Sequence, residues 1–334
     1  MTMINVAHHP GRHCASTGIC NLVNYHGVRW SEAMCFGLGE GLGIWFIDFP
    51  KLSPSRIVHV RTIDLEAQFF NRIGYPFSWD KFKTPEESEA GLCARLDQGL
   101  PVILRTDLYY LPYYESNTHY PGHVITVWGY DRTEQIFYVT DTERENVLEV
   151  PFGALGQARF CREDFLHIEG DLFAPANIPV PDDISERIRR AILANSRAIL
   201  EYGHLQGITG IVGGMAGLEK WQNEVIDWVK LEDWQWASRF AYQVIEKRGT
   251  GGGGFRLMYA DFLEEAKESI PEISSRGLHQ QMREVGQSWR DLAIAFKKAS
   301  EVSYPDFGEV AHRLNRVAQL ESSYHHEALA LESL

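Results

Sequence analysis

A proline- and acid-rich stretch at residues 171–183, DLFAPANIPVPDD, separates two kinds of sequence pattern. Before it, short apolar runs alternate with amphipathic segments, which is typical of mixed strands and helices. After it, apolar residues recur at spacings of three and four through almost every segment, which indicates helices. We therefore predict an α+β protein, with a first domain at residues 1–175 built on an antiparallel sheet and an all-helical domain at residues 176–334.

Net charge, apolar runs and cysteine usage limit the classes of function that this chain can have. The 334 residues carry a formal net charge of −13, which argues against nucleic acid or an anionic membrane as a partner, because phosphate contacts need clustered Lys and Arg. No apolar run approaches the roughly 20 residues of a membrane span, and no basic-then-apolar stretch marks export. The five cysteines form no CxxC pair, which favours neither a disulfide framework nor a zinc knuckle. We expect a cytoplasmic protein, whose acidic charge would suit a cationic amine as substrate.

The run HCASTGICNLVNYHGV places Cys14 where an irregular leader gives way to an apolar-periodic segment. Ile19, Leu22 and Val23 have helical spacing, and His26-Gly27 ends the pattern, which predicts a short helix with Cys14 in its first turn. A thiol at this place feels the unpaired amide donors and the positive end of the helix dipole, which favour the thiolate. Cysteine nucleophiles of the papain-like kind are built in this way, and such a nucleophile needs a base.

The predicted base is His123 in PGHVITVWGYD, and the predicted orienting acid is Asp141 at the end of IFYVTD. Two alternating apolar runs joined by a turn at residues 131–135 indicate a β-hairpin. A histidine at the start of one strand and an aspartate at the end of its partner become cross-strand neighbours. Cys14, His123 and Asp141 therefore form a candidate nucleophile, base and orienting acid.

Each of these residues has competing interpretations. Cys14 could be a small buried hydrophobe, which is the commoner fate of a free cysteine. The apolar faces of predicted helices hold Cys20, Cys35 and Cys93, which we assign to the core, whereas Cys161 in RFCRE is undecided. Asp131 rivals Asp141 but more plausibly shapes the turn. Rival bases for His123 are His8, His9, His13, His26 and His119. A metal site built from His8, His9 and His13 is disfavoured, because their spacing is not helical and no carboxylate is interleaved, and we predict no metal.

Two further stretches supply candidate substrate-binding residues. The aromatic run LYYLPYY contains Tyr109 and Tyr110. The glycine-rich run at residues 249–254 lacks the Lys-Ser/Thr ending of a phosphate-binding loop, and a helix precedes it rather than a strand. We interpret it as a place of close backbone packing that presents Arg256 and Tyr259.

Several of these motifs resemble the butirosin biosynthesis protein H family. Three stretches of this chain resemble the N-terminal domain of that family: HCASTGICNLVNYHGVRWSEAMCFGLGEGLG, DQGLPVILRTDLYYLPYY and GHVITVWGYD. A fourth stretch resembles the uncharacterised domain that commonly follows it in the family: IEKRGTGGGGFRLMYADFLEEA. The resemblance implies a papain-like N-terminal fold and transfer of an acyl group from an acyl carrier protein thioester to an amine. It also implies that Cys14 is the acylated nucleophile, His123 its base and Asp141 the orienting acid.

One position departs from the papain-like pattern. Those enzymes place a glutamine shortly before the cysteine as an oxyanion donor, and His8 stands at that position here. Either His8 donates to the oxyanion, or backbone amides near Cys14 do so. The departure weakens a peptidase interpretation more than an acyl-transfer interpretation.

The sequence therefore predicts an acyltransferase of specialised biosynthesis that works through a Cys14 thioester. The expected partners are an acyl carrier protein or another thioester donor, whose acyl group is carried on phosphopantetheine, and a small-molecule amine. No other cofactor is expected, a homodimer is left open, and the helical domain is predicted to close the substrate pocket. The alternatives are a cysteine peptidase or amidase that uses the same triad with water as acceptor, and a binding module on an inactive scaffold.

Overall fold

The computed structural model describes residues 1–163, 166–201 and 210–333. The strands in these ranges are β1 Thr2–Met3, β2 Leu42–Asp48, β3 Arg56–Arg61, β4 Val102–Thr106, β5 His123–Asp131, β6 Ile136–Thr140, β7 Leu148–Pro151, β8 Phe160–Glu163, β9 Leu166–Glu169, β10 Leu172–Phe173 and β11 Ile211–Gly213. The α-helices are α1 Cys14–Tyr25, α2 Glu32–Leu38, α3 Leu65–Arg72, α4 Pro85–Asp97, α5 Phe152–Ala158, α6 Ile184–Glu201, α7 Gly214–Glu224, α8 Trp234–Glu246, α9 Arg256–Ala266, α10 Pro271–Ser275, α11 Leu278–Ser300 and α12 Phe307–Leu329. Short 3₁₀ helices lie at Leu108–Tyr110, Pro112–Tyr114, Val225–Lys230, Gly253–Phe255 and Ala330–Ser333.

The chain divides into two compact units. Unit 1 consists of Met1–Cys35 and Ile73–Pro181, and unit 2 consists of Phe36–Arg72 and Asp182–Leu334. Antiparallel sheets and helices are both present, so the predicted α+β class is confirmed. Among the helices in the described ranges, none combines the length and the apolar composition that crossing a bilayer requires.

The unit boundaries differ in one respect from the predicted domains at residues 1–175 and 176–334. Residues 36–72 group with the second unit instead of the first. There β2 pairs with β3 and, on its other edge, with β11, and both pairings are antiparallel. The second unit therefore contains a small sheet and is not all-helical. The three-residue strand β11 is too short to show a period in the sequence, so the partner of β2 was not recognisable there.

Unit 1 is organised by an antiparallel sheet with the order β10-β4-β5-β6-β7, and β1 also pairs with β5. Alternate residues of its central strands face opposite sides. On one side, Ile103 and Val124 approach α1 so closely that a Cβ at Gly18 would lie 3.2 Å from each. On the other side, the core formed with α4 contains Leu92, Leu96, Val102, Leu104, Ile125 and Val127. Covering on both faces explains why His123–Tyr130 is buried throughout.

The predicted hairpin and helix start are confirmed. Strands β5 and β6 are antiparallel partners, and the Asp131 carboxylate accepts hydrogen bonds from the amides of Thr133 at 2.8 Å and Glu134 at 3.2 Å in the turn between them. Asp131 therefore shapes the turn. At the start of α4, Thr84 Oγ1 accepts a hydrogen bond from the Glu87 amide at 3.2 Å, as the capping pattern predicts.

A buried ion pair lies inside unit 2. The guanidinium of Arg256 donates to Glu321 at 2.6 Å and to the carbonyl oxygens of Val60 and Gly254, both at 2.8 Å. Trp289 Nε1 donates to the same carboxylate at 2.5 Å, and His325 Nε2 lies 2.9 Å from it. Burial acts to raise the pKa of Glu321, but Arg256 and His325 outweigh it and lower that pKa to about 2.

Replacing Glu321 with glutamine should strongly destabilise the protein, because it leaves the buried Arg256 without a counter-charge. We expect the free energy of unfolding at pH 7 to fall by about 3 kcal/mol. The pKa of Glu321 is lower in the folded state than the usual value near 4.3. Its charge therefore contributes stability above about pH 4.3 that is lost as the pH falls towards 2. Urea unfolding at pH 7 and pH 3 should show a smaller difference between E321Q and the parent protein at pH 3.

The matched control is Glu309→Gln on the same helix, because the Glu309 side chain is 47% exposed and pairs with Arg313 along the surface. It should change stability little at either pH. If E321Q lowered the free energy of unfolding no more than E309Q does, a stabilising role for the buried charge would be contradicted.

Candidate active site

Cys14 is the first residue of α1, as its sequence pattern predicts. His13 caps this helix, and its Nδ1 accepts a hydrogen bond from the Ser16 amide at 3.4 Å. All five cysteines lie in the described ranges; Cys14 is partly exposed, whereas the other four are buried. Cys14 is therefore the cysteine that a substrate or reagent reaches most readily.

The carboxylate of Glu32 fixes the chain that leads into Cys14. It accepts hydrogen bonds from the amides of Arg12 and His13, both at 2.9 Å, and from the hydroxyls of Ser16 at 2.8 Å and Thr17 at 3.2 Å. Four donors around the start of α1 thus share one acceptor group. A charged acceptor of this kind makes stronger hydrogen bonds than a neutral one, so Glu32 holds the leader and the first turn together.

Asn21 fixes the position of α1 against the sheet. Its Nδ2 donates to Thr126 Oγ1 at 3.0 Å and contacts Thr140 Oγ1 at 3.4 Å. These two threonines are directly paired across β5 and β6. Asn21 therefore connects the helix that begins with Cys14 to the strand that begins with His123 and to the strand that precedes Asp141.

The imidazole of His123 lies between Cys14 and Asp141. Its Nε2 is 2.9 Å from Asp141 Oδ1 and 2.8 Å from Oδ2. The same side chain forms a hydrogen bond with Cys14. Because Nε2 is engaged by the carboxylate, Nδ1 is the ring nitrogen that remains for the sulfur. This order of thiol, imidazole and carboxylate is the arrangement that activates a nucleophile.

Two tyrosines and a threonine surround the buried end of this array. Asp141 accepts hydrogen bonds from Tyr113 Oη at 2.8 Å and from Thr142 Oγ1 at 2.7 Å. Tyr114 Oη lies 3.3 Å from His123 Nε2. The guanidinium carbon of Arg144 lies 4.8 Å from the ring centre of Tyr113 and 4.9 Å from that of Tyr114. The carboxylate is thus held on several sides and cannot turn away from His123.

Electrostatics favour a charged His123. Burial acts to lower the pKa of His123, but Asp141 and the hydrogen-bonded Cys14 outweigh it and raise that pKa well above the usual value. Burial likewise acts to raise the pKa of Asp141, but His123, Thr142 and Tyr113 outweigh it and lower that pKa. These directions favour an imidazolium next to the sulfur, and an imidazolium at this place would stabilise a thiolate.

Two models of known protein families match the chain. Residues 13–142 match the family model described as "Butirosin biosynthesis protein H, N-terminal". Residues 153–328, about half of the chain, match the model described as "Domain of unknown function (DUF4872)". The chain belongs to the DUF4872 family and carries, ahead of that domain, an N-terminal domain of the butirosin biosynthesis protein H family. No curated protein matches it.

The first family match contains the whole array. It begins one residue before Cys14, includes His123 and ends one residue after Asp141. The second match covers most of unit 2. The order of the two matches is the one that the sequence motifs indicate, and the family is named for a biosynthetic pathway.

His8, the predicted oxyanion donor, is engaged elsewhere. Its Nδ1 lies 3.1 Å from Asn21 Oδ1 and its Nε2 lies 2.9 Å from the carbonyl oxygen of Arg144. Both ring nitrogens thus face oxygen acceptors of the protein. This position favours the other sequence-based alternative, in which backbone amides at the start of α1 serve the oxyanion.

The predicted substrate-binding residues lie in two different settings. Tyr109 is exposed, and its ring stacks on His119 with centroids 4.0 Å apart, next to Tyr110. Arg256 and Tyr259, in contrast, are buried inside unit 2, at 0% and 1% exposure. This placement corrects their assignment, because a buried arginine that is fully engaged by Glu321 and backbone carbonyls has no surface to offer a substrate.

Sequence reasoning missed Tyr113, Tyr114, Glu32 and Asn21. The tyrosines belong to the same LYYLPYY run as Tyr109 and Tyr110, but only the latter pair was singled out there, as substrate-binding residues, and that assignment stays a prediction. No local pattern marks Glu32 or Asn21, because their partners lie in other segments. The closure of the pocket by the helical domain stays a prediction.

Removing the Glu32 carboxylate should destabilise the protein. We expect E32A to lower the free energy of unfolding by about 2 kcal/mol, because two backbone amides and two hydroxyls near Cys14 lose a charged acceptor. Chemical denaturation measures the change. Glu86→Ala, which removes an exposed carboxylate from the first turn of α4, is the control and should lower the free energy of unfolding far less. Equal costs in the two variants would show that Glu32 does not anchor the start of α1.

Proposed function

We propose that this protein is an acyltransferase that carries an acyl group on Cys14 as a thioester and transfers it to an amine in a biosynthetic pathway. The observation that carries the proposal is the His123 imidazole, hydrogen-bonded to Cys14 on one side and to Asp141 on the other. Membership of a family named for butirosin biosynthesis supports a biosynthetic role.

The first half-reaction loads the enzyme. The Cys14 thiolate attacks the carbonyl carbon of a donor thioester and forms a tetrahedral intermediate. The donor carbon–sulfur bond then breaks, and the departing sulfur takes the proton of the His123 imidazolium, so that the donor leaves as a thiol. The acyl group stays on Cys14. Thioester exchange is nearly thermoneutral, so the step needs the thiolate and a proton donor in place rather than an added energy source.

The second half-reaction transfers the acyl group. A neutral amine attacks the Cys14 thioester, and the now neutral His123 accepts a proton from the attacking nitrogen. The carbon–sulfur bond breaks, an amide leaves, and the thiolate–imidazolium pair is restored. Formation of an amide from a thioester is downhill. Asp141 keeps the imidazole oriented and stabilises its charge in both half-reactions.

Amide donors at the start of α1 suit the oxyanion of both tetrahedral intermediates. The first amides of a helix have no partner within the helix, and the helix dipole adds a positive potential there. His8 is a weaker choice for this role, since its nitrogens bind Asn21 and Arg144. A donor carried on the phosphopantetheine arm of an acyl carrier protein would bring its thioester to Cys14, and this partner remains a proposal.

A thioester trap tests the proposal. The protein is incubated with an acyl thioester of N-acetylcysteamine, and intact-mass and peptide mass spectrometry locate the adduct. We expect one acyl group on Cys14, no adduct on C14A, and slower loading of H123A by a factor of about 10² or more. Cys93→Ser, which changes a buried cysteine of α4, is the matched control and should load like the parent protein.

The loaded protein is then divided between buffer and a mixture of primary amines. Faster loss of the acyl group with amines, together with an amide product, supports the transferase. Equal loss in both, with free acid as the product, would identify a hydrolase with the same triad. A Cys14 that never acquires the acyl group, in a protein that unfolds cooperatively like C93S, would overturn the proposed mechanism altogether.

A further inference from the structure

Three potential metal ligands converge in unit 1 outside the Cys14 array. Asp107 directly follows β4, His119 lies in the connection to β5, and Cys161 lies in β8. One donor atom from each side chain lies within 4.8 Å of the others. From the sequence, His119 was a rival base and Cys161 was undecided, and their separation along the chain gave no metal-binding pattern.

The Asp107 carboxylate is oriented by the backbone. Its Oδ1 accepts hydrogen bonds from the amides of Tyr109 at 3.1 Å and Tyr120 at 2.8 Å. Its Oδ2 lies 2.6 Å from His119 Nδ1 and 3.5 Å from Cys161 Sγ. One oxygen is thus fixed by the main chain, and the other is presented to a nitrogen and a sulfur. Hydrogen bonds of this kind from outside a metal site orient its ligands.

We propose that Asp107, His119 and Cys161 bind a Zn²⁺ ion. Carboxylate oxygen, imidazole nitrogen and thiolate sulfur are the ligand types that zinc takes, and three protein ligands leave a fourth position of the tetrahedron for water. The Asp107 carboxylate is buried, whereas the His119 side chain is 39% exposed, so an ion and its water would enter from the side of His119. If the cluster served only to hold a turn, the contact between Asp107 and His119 would be sufficient. The Cys161 thiol beside the same Asp107 oxygen, Oδ2, would not be needed.

The ligands need only a small rearrangement. Metal–ligand bonds of about 2.0–2.3 Å in a tetrahedron separate the ligand atoms by about 3.3–3.7 Å. The 2.6 Å contact between His119 and Asp107 must therefore open by about 1 Å, and His119 is exposed enough to move. Zinc replaces the Cys161 thiol proton, which is released to water. A neutral His119 side chain would bind through Nδ1 and keep its hydrogen on Nε2.

Zinc at this site would act on the segment that carries Tyr113 and Tyr114. Asp107 and His119 flank that segment, and Cys161 anchors it to β8. Because Tyr113 contacts Asp141 and Tyr114 contacts His123, a bound ion should hold these tyrosines against the Cys14 array. The inference does not depend on acyl transfer, since metal binding is measured without a substrate.

The test measures zinc binding to the full chain in a C14S background, which removes the other thiol that lies next to a histidine. Protein stripped with a chelator is titrated with Zn²⁺ in competition with a chromophoric chelator, and with Co²⁺ while the absorption spectrum is recorded. We expect one zinc equivalent and a thiolate-to-cobalt charge-transfer band. H119A and C161S should each weaken binding at least about tenfold, and C161S should lose the band.

Two control variants keep the test specific. C93S changes a buried cysteine of the same unit, and H312A changes an exposed histidine of α12; both should bind zinc like the background protein. Hydrogen exchange provides a second measurement, in which zinc should slow exchange in residues 107–122 of the background protein but not of H119A. H119A changes an exposed side chain, so it separates loss of a ligand from loss of the fold. Absence of zinc binding, or unchanged affinity in both H119A and C161S, would overturn the proposal.

Discussion

The contact of His123 Nε2 with both oxygens of the Asp141 carboxylate is the interaction on which the candidate site depends. Both groups are buried, and a buried charge is tolerated only when it is paired and hydrogen-bonded. Tyr113 and Thr142 supply the further donors that Asp141 needs, and a negative charge on Asp141 raises the pKa of His123. Asn21 and Glu32 matter because they bring the start of α1, and with it Cys14, to this charged imidazole.

Unit 2 contains a second buried ionic group with a different outcome. Glu321 is surrounded by Arg256, Trp289 and His325, and Arg256 is completed by backbone carbonyls. The guanidinium of Arg256 and the indole nitrogen of Trp289 donate to Glu321, and the side chains of Arg256 and Glu321 are fully buried. In unit 1, by contrast, the ionic array ends in a partly exposed thiol. The arrangement in unit 2 organises a core, whereas the arrangement in unit 1 prepares a nucleophile.

The sequence allowed prediction of those structural features that depend on local residue patterns. The start of α1 at Cys14, the β5–β6 hairpin and the Thr84 cap follow from periodicity and turn chemistry within short windows. The grouping of β2 and β3 with β11 depends on strand pairing over a long separation, and the roles of Glu32 and Tyr113 depend on where loops from other segments arrive. The assignment of Arg256 to a substrate rests on a glycine-rich run interpreted as close backbone packing that presents the arginine beyond it, and burial next to Glu321 cannot be deduced from that run.

The protonation state of His123 at neutral pH tests the account most directly. NMR of protein with ¹⁵N-labelled histidine, with the His123 signal assigned from the H123Q variant, reports the protonation of both ring nitrogens. The account predicts that His123 is an imidazolium at pH 7 and titrates well above the usual value near 6.5, and that D141N moves this titration to lower pH. A neutral His123 at pH 7, unaffected by D141N, would contradict the thiolate–imidazolium pair on which the proposed chemistry rests.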